Sequence, residues 1–329
     1  IDGNQSGTVV SIESGESIDA QLVGLTIQNG IGTSKAGGIS VISSSPTLQH
    51  LRIINNSVAS GYSGGGISCN EYSNPVLSDL EVSGNSGVQG GGIYLLRSNP
   101  SISNVKIIGN DASWGGGGLF CNTASPVLNN VLISGNSTNT QRGSGIYCEY
   151  DSEPLINRTT ISGNICDSED GGMLYCANAA NPKIENSVLW NSPQPEVVFN
   201  SEGGANSVEI SYTNILGGLD SIVTNNNGTV YWLSGNIDTD PLFVDAEGGD
   251  YHFLAGSPCI DAGNPTSPFD PDGTIADMGA FYYHQDVGIN DNELPLHNYQ
   301  LINFPNPFNG ETTISFSLTT NLHEKARIE

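Results

Sequence analysis

The chain has 329 residues, 34 acidic against 9 basic side chains, a formal net charge of −25 and a pI near 4.1. Such a balance excludes binding nucleic acid through phosphate contacts, which need clustered Lys and Arg. With 13% charged residues and no run of about 18 apolar ones, the sequence fits neither a solvated coil nor a helical membrane span.

The first clear unit, GGISVISSSPTLQHLRIINN, begins at Gly37. It returns as GGGISCNEYSNPVLSDLEVSGN from Gly64, GGGIYLLRSNPSISNVKIIGN from Gly90 and GGGLFCNTASPVLNNVLISGN from Gly116. GSGIYCEYDSEPLINRTTISGN follows from Gly143, and a weaker GGMLYCANAANPKIENSVLWN from Gly171. The apolar residue after the glycines falls at Ile39, Ile67, Ile93, Leu119, Ile146 and Leu174, in steps of 28, 26, 26, 27 and 28. Within each unit the hydrophobic period is two, as in half-buried strands. A second apolar set follows each proline, such as Leu77, Leu80 and Val82, or Leu128, Val131 and Ile133. Short strands with Gly, Asn and Pro corners cannot bury an apolar face alone, so the coils must stack roughly 4.8 Å apart in register. The expected fold is all-β: a right-handed parallel β-helix solenoid over 1–236, with clear repeats over 37–192.

Stacking in register turns repeated positions into ladders. One is the inward aliphatic ladder above. A second is Asn56, Asn85, Asn110, Asn136 and Asn164, at a corner where Asn tolerates left-handed geometry and its amide can bond the next coil. Cys69, Cys121, Cys148 and Cys176 share a position with Val41 and Leu95, which suits a buried thiol stack better than disulfides. A last ladder, Tyr94, Phe120, Tyr147 and Tyr175, points outward. His50, standing where other coils have Asp79, Asn104, Asn130 and Asn186, reads as a turn residue.

After Asn191 the repeat fades into irregular coils at 196–199, 208–212 and 229–233. Residues 237–283 are Asp- and Pro-rich and are expected to close the C-terminal end of the stack. Residues 284–298 read as a linker, and 299–329 restart with PNPFN and an alternating strand at 312–318. Between Lys183 and Lys325 there is no basic residue against 19 acidic ones.

The repeat, followed by DPLFVDAEGGDYHFLAGSPCIDAGNPTSPFDPDGTIADMGAFYYH from Asp240, resembles bacterial secreted β-helix proteins of the pectin-lyase-like superfold, more narrowly their choice-of-anchor subgroup. NFPNPFNGETTISFSL from Asn303 is similar to the opening of the C-terminal sorting domain read by type IX secretion systems, a small β-sandwich. The resemblance implies export, then release or attachment at the outer cell surface. Relatives start with a signal peptide and extra coils, and the sorting domain continues further, so the sequence is expected to be a piece of a longer protein.

Several residue groups could carry chemistry. Asp270, Asp272 and Asp277 surround a glycine turn with the spacing of an abbreviated calcium loop, although the terminal Glu of an EF-hand is lacking; a closing Asp/Gly turn is the alternative. Calcium is the only cofactor the sequence suggests. A lyase base would come from the coils, where Arg52 and Lys106 share an outward position with Glu81 between them, which is also the pattern of a surface charge ladder. A hydrolase needs paired carboxylates, for which Glu149, Asp151 and Glu153, with Asp167, Glu169 and Asp170 one turn on, are the best cluster, solvated acidic loops being the alternative. The aromatic ladder could stack sugars, dock a neighbouring protein, or lie covered by another segment. Two functions follow: a structural or adhesive surface rod, able to self-associate, or a secreted protein that binds or degrades polysaccharide. The first is favoured because repeat positions account for most of the noticeable residues.

Overall fold

The computed structural model describes residues 1–285 except 60, 62, 140–141, 168–170 and 191–193, together with the backbone of Ile302–Phe304 and Thr313–Ser315. It divides into two units, Ile1–His284 and Gln285–Glu329.

Each repeat makes one turn of a parallel β-helix. In the turn that starts at Ile93–Leu96, the chain bends through Arg97, runs along Ser101–Ser103, bends again at Asn104, and continues through Lys106–Ile108 and Asp111–Gly115. Among the described residues the stacked turns form sheets of nine, fifteen and six strands, with every solenoid pairing parallel. The inward ladder is in register: Ile67 faces Ile93, then Leu119, Ile146 and Leu174. All its members are fully buried, as are Leu77, Val82, Leu128 and Ile133 on the adjoining sheet. Truncating one such residue to Ala costs about 2–5 kcal/mol, because its neighbours sit on fixed strands and cannot collapse into the gap.

The asparagine ladder closes a corner that would otherwise hold orphaned amides. From Asn56 to Asn136 each Nδ2 donates to the Oδ1 of the next coil, as Asn85 to Asn110 at 2.9 Å and Asn110 to Asn136 at 2.9 Å. Its second hydrogen reaches a carbonyl of the preceding coil, Ile53 or Val82, and each backbone N–H also donates to the next Oδ1. The left-handed residue is not the ladder asparagine, however. It is the one before it: Asn55, Gly84, Gly109, Gly135 and Gly163. Splitting the two tasks lets a residue with little or no side chain take the positive φ while the amide faces the stack.

The cysteine ladder runs Val41, Cys69, Leu95, Cys121, Cys148, Cys176, Phe199. Its four thiols are free and fully buried. Burial pushes Cys69 up to about 12 and raises Cys121 and Cys176 as well, so these groups behave as apolar filling.

Residues 237–283 depart from the expectation. At the end of the stack Ile237 bridges Asn214, while Val230 and Trp232, inward on the last turn, stay only partly buried. Instead the segment lies as a strap along the outer face of the fifteen-stranded sheet. One outward ladder on that face reads Arg52, Glu81, Lys106, then Leu132, Thr160, Val188. It changes from charged to apolar or uncharged where the strap begins, because the later residues lose water beneath it. The N–H of Ala280 donates to Thr160 Oγ1 at 2.9 Å, and that of Gly279 to the Asn186 carbonyl at 2.8 Å. Gly279 has φ +99, and a Cβ there would lie 2.8 Å from Thr160 Oγ1, so the approach requires glycine. Val188 packs with Phe253, Cys259 and Met278, and Leu132 with Tyr251 and Ala280.

In the second unit Ile302–Phe304 pairs antiparallel with Thr313–Ser315. The PNPFN turn and the linker lie outside the described residues.

Candidate functional site

The aromatic ladder stands on the outer face of the nine-stranded sheet, raised there by strands whose glycine leaders allow close approach. Gly143 has φ +58, and a Cβ on it would lie 2.2 Å from the Ile146 carbonyl oxygen. The rings stack in order: Tyr94 on Phe120 at 5.5 Å, Phe120 on Tyr147 at 4.7 Å and Tyr147 on Tyr175 at 5.3 Å. They do not form an open strip. Trp114, from the strand Asp111–Gly115, tilts over Phe120 and Tyr147 at 5.8 and 5.3 Å, and the Arg142 guanidinium lies 4.5 Å over the Trp114 ring. Phe120 and Tyr147 are thereby buried, while Tyr94 and Tyr175 remain half-buried. Covering by another segment, one of the three readings of the ladder, therefore holds for its middle.

Glu149 lies at the foot of this assembly, 5% exposed. It stands in register with Asn122 on one side and Ala177 on the other. Its Oε1 accepts from Asn122 Nδ2 at 2.8 Å and its Oε2 from the Tyr147 hydroxyl at 3.3 Å. Burial raises its carboxyl pKa, against the opposing pull of both hydrogen bonds and Arg142. Burial also raises the Tyr147 phenol, with Glu149 adding to the shift. The resulting groove of about 480 Å³ offers ring faces from Trp114 and Tyr175, amides from Gln89, Asn178 and Asn200, and one charge of each sign. A cavity of this size with aromatic walls and a few placed polar groups suits a small or chain-like ligand.

Glu149 is not brought together with its sequence neighbours. Asp151 and Glu153 are exposed in the bend that follows its strand, Asp167 is exposed, and Glu169 and Asp170 lie outside the described residues. Trp114, Arg142 and Gln89 were not singled out from the sequence. A signal existed: each is the residue immediately before a glycine run in successive repeats.

Arg52 and Glu81 form a bidentate pair at 2.9 and 3.2 Å, with Lys106 in register beyond, so the candidate base positions make a surface charge ladder. The candidate calcium loop is knit internally. Arg158 Nη1 donates to Asp270 Oδ1 at 2.6 Å, and the Asp277 N–H to Asp270 Oδ2 at 2.8 Å. Asp277 accepts from the N–H groups of Asp261 and Tyr283, and Asp272 from the backbone and hydroxyl of Thr274. Among the described residues there is no group of three His, Cys, Asp or Glu placed to hold a metal ion, and these three carboxylates accept from protein donors. The positive partner of this acidic stretch is Arg158, reaching over from the coils. Burial raises Asp270 despite that pair, and raises Asp277 to about 6.

The parallel sheets and their register make the protein a β-helix solenoid. No family model matches the chain, and no curated protein matches it. Among solved structures it is similar to a crystal structure of pectate lyase Pel9A, at 12% identity and a TM-score of 0.32, over 85% of this chain and 87% of that one.

Proposed function

We propose that the protein is a structural and adhesive β-helix of the bacterial exterior that grips a polysaccharide in the Trp114 groove. The observation that carries this is the convergence of Trp114, Arg142, Tyr175 and Glu149, which the repeat does not require and which lines a groove with aromatic rings and polar groups. Arg142 and Glu149 balance in charge, which in a chain of −25 favours an uncharged ligand over an anionic one. The role is binding, since both Glu149 oxygens are already engaged by Asn122 and Tyr147. The acidic surface and the resemblance of the C-terminal motif support an extracellular setting. Titrating soluble glucans, galactans and mannans while following Trp fluorescence tests the reading. Binding lost in Trp114→Ala and Arg142→Gln is expected; a glycan response that both variants retain would refute it.

Self-association is the second partner proposed. The strand Gly228–Trp232 pairs on one side only among the described residues, and its Val230 and Trp232 are partly exposed. Electron microscopy of the purified protein should show filaments or arrays, and uniformly single particles would rule this out.

A further inference from the structure

A second cavity, of about 580 Å³, lies on a different face, where the strap crosses the fifteen-stranded sheet. The groove on the nine-stranded sheet shares no residue with it. It exists because one ladder is interrupted. At the bend inside each turn, Asn104 donates to Asp79 and Asn130 donates to Asn104, both at 3.2 Å. The next residue in register is Arg158, which cannot continue the series and turns to Asp270 and the Pro268 carbonyl. Asn130 Oδ1 therefore receives no donor from the described residues, and it lines the cavity.

The strap supplies the opposite wall. Phe269 is 63% exposed and Tyr282 41%, large apolar areas placed around an opening. Lys106 Nζ lies 5.8 Å from the Phe281 ring centroid and makes no ion pair with the described carboxylates. His252 stacks on Phe281 at 4.3 Å. Charge selects the ligand class. Asp270 and Asp277 line the site in a strongly acidic protein and repel an anion; Lys106 and Arg158 repel a cation. What remains is an uncharged molecule with donors and acceptors on its edge and a flat apolar face for the rings.

We propose that this strap cavity is a second binding site, for a neutral sugar residue. Its apolar face rests on Phe269 and Tyr282, one hydroxyl donates to Asn130 Oδ1, and Lys106 donates to another.

The test is calorimetric titration of the full chain with neutral gluco-, galacto- and manno-oligosaccharides, with oligogalacturonate as the charged control. Trp114→Ala removes the groove, Phe269→Ala/Lys106→Ala alters only exposed side chains at the cavity, and Asn130→Gly keeps the left-handed bend while deleting the acceptor. A neutral oligosaccharide should still bind the Trp114→Ala protein and weaken at least tenfold on Phe269→Ala/Lys106→Ala or Asn130→Gly. Absence of neutral-sugar binding to the Trp114→Ala protein overturns the proposal, as does binding indifferent to the cavity variants or equally strong for oligogalacturonate. Binding lost through Trp114→Ala alone would leave the groove reading standing and remove this one.

Discussion

Arg158 and Asp270 form the pair on which the strap's docking can be tested most sharply. Their side chains are 14% and 1% exposed, with Nη1 and Oδ1 at 2.6 Å. Arg158 also adopts φ +45, where other turns place Asn104, Asn130 and Asn186. Removing one partner leaves an uncompensated buried charge, which costs about 3–5 kcal/mol. Arg158→Asn recovers part of that, since Asn tolerates the left-handed bend and can donate to Asn130. Asp270 stays raised in pKa even beside Arg158, so its burial outweighs the attraction of the pair. The double variant Arg158→Asn/Asp270→Asn should therefore return close to the parent protein, within about 1 kcal/mol, whereas Asp270→Asn alone loses about 3 kcal/mol. Urea unfolding followed by near-UV circular dichroism gives the four corners of the cycle, and limited proteolysis shows whether 237–284 is released first. Additive losses in the double variant would refute the reasoning, as would a strap no more protease-sensitive in the single variants.

Asn110→Ala removes two donations from Nδ2 and orphans the Asn85 amides that bond its Oδ1, so thermal or urea unfolding should show a loss of about 3 kcal/mol or more, against about 1 for an exposed asparagine. For pH, the folded-state pKa values of Glu149, Asp270 and Asp277 all lie above the ordinary carboxylate values, so folding takes up protons. The Asp277 contribution is fully present below its unfolded pKa of 3.8 and is lost as pH rises through about 6. Urea midpoints should accordingly fall between pH 4 and pH 7, less so in Asp277→Asn; a midpoint that rises over this range would contradict the assignment. Because protein donors already engage Asp270, Asp272 and Asp277, the melting temperature should be the same in calcium and in chelator, and a rise confined to calcium would instead support calcium binding at this loop.

The solenoid was legible because its determinants are local and repeated. A glycine run, a period of two and a corner asparagine recur every 25 to 29 residues, and stacking converts each recurrence into a ladder without long-range information. What the repeat did not encode was harder to read. The strap's position depends on pairings more than a hundred residues apart, such as Arg158 with Asp270 and Thr160 with Ala280, for which one sequence holds no periodic trace. Its footprint was nevertheless present in the outward ladder, where Lys106 gives way to Leu132 and Val188. The groove was half legible. The aromatic ladder follows from register, but Trp114 and Arg142 enter from the segment before the glycines, whose length varies from turn to turn and defeats simple alignment. Glu149 was grouped with Asp151 and Glu153 by proximity along the chain, although the strand ends between them.

The charge of −25 constrains function most through where its exceptions fall. Seven basic residues lie in the coils; Lys35 pairs with Glu13 and Lys183 with Glu209, and four others have partners that bear on function. Arg52 pairs with Glu81, Arg158 holds the strap, Arg142 covers Trp114, and Lys106 stands over Phe281. Arg142 lines the groove beside Glu149, and Lys106 and Arg158 line the strap cavity beside the Asp270 and Asp277 carboxylates. Each cavity thus brings a cation into an acidic protein and meets it with local carboxylates, so neither presents the positive field a polyuronate would need. Two sites of that kind on different sheets of a rigid solenoid would hold two neutral glycan chains apart at a fixed spacing. If both sites bind, the proposed adhesion and the proposed carbohydrate binding would be one property, since a solenoid with a single site could only coat a polysaccharide, whereas one with two could cross-link it.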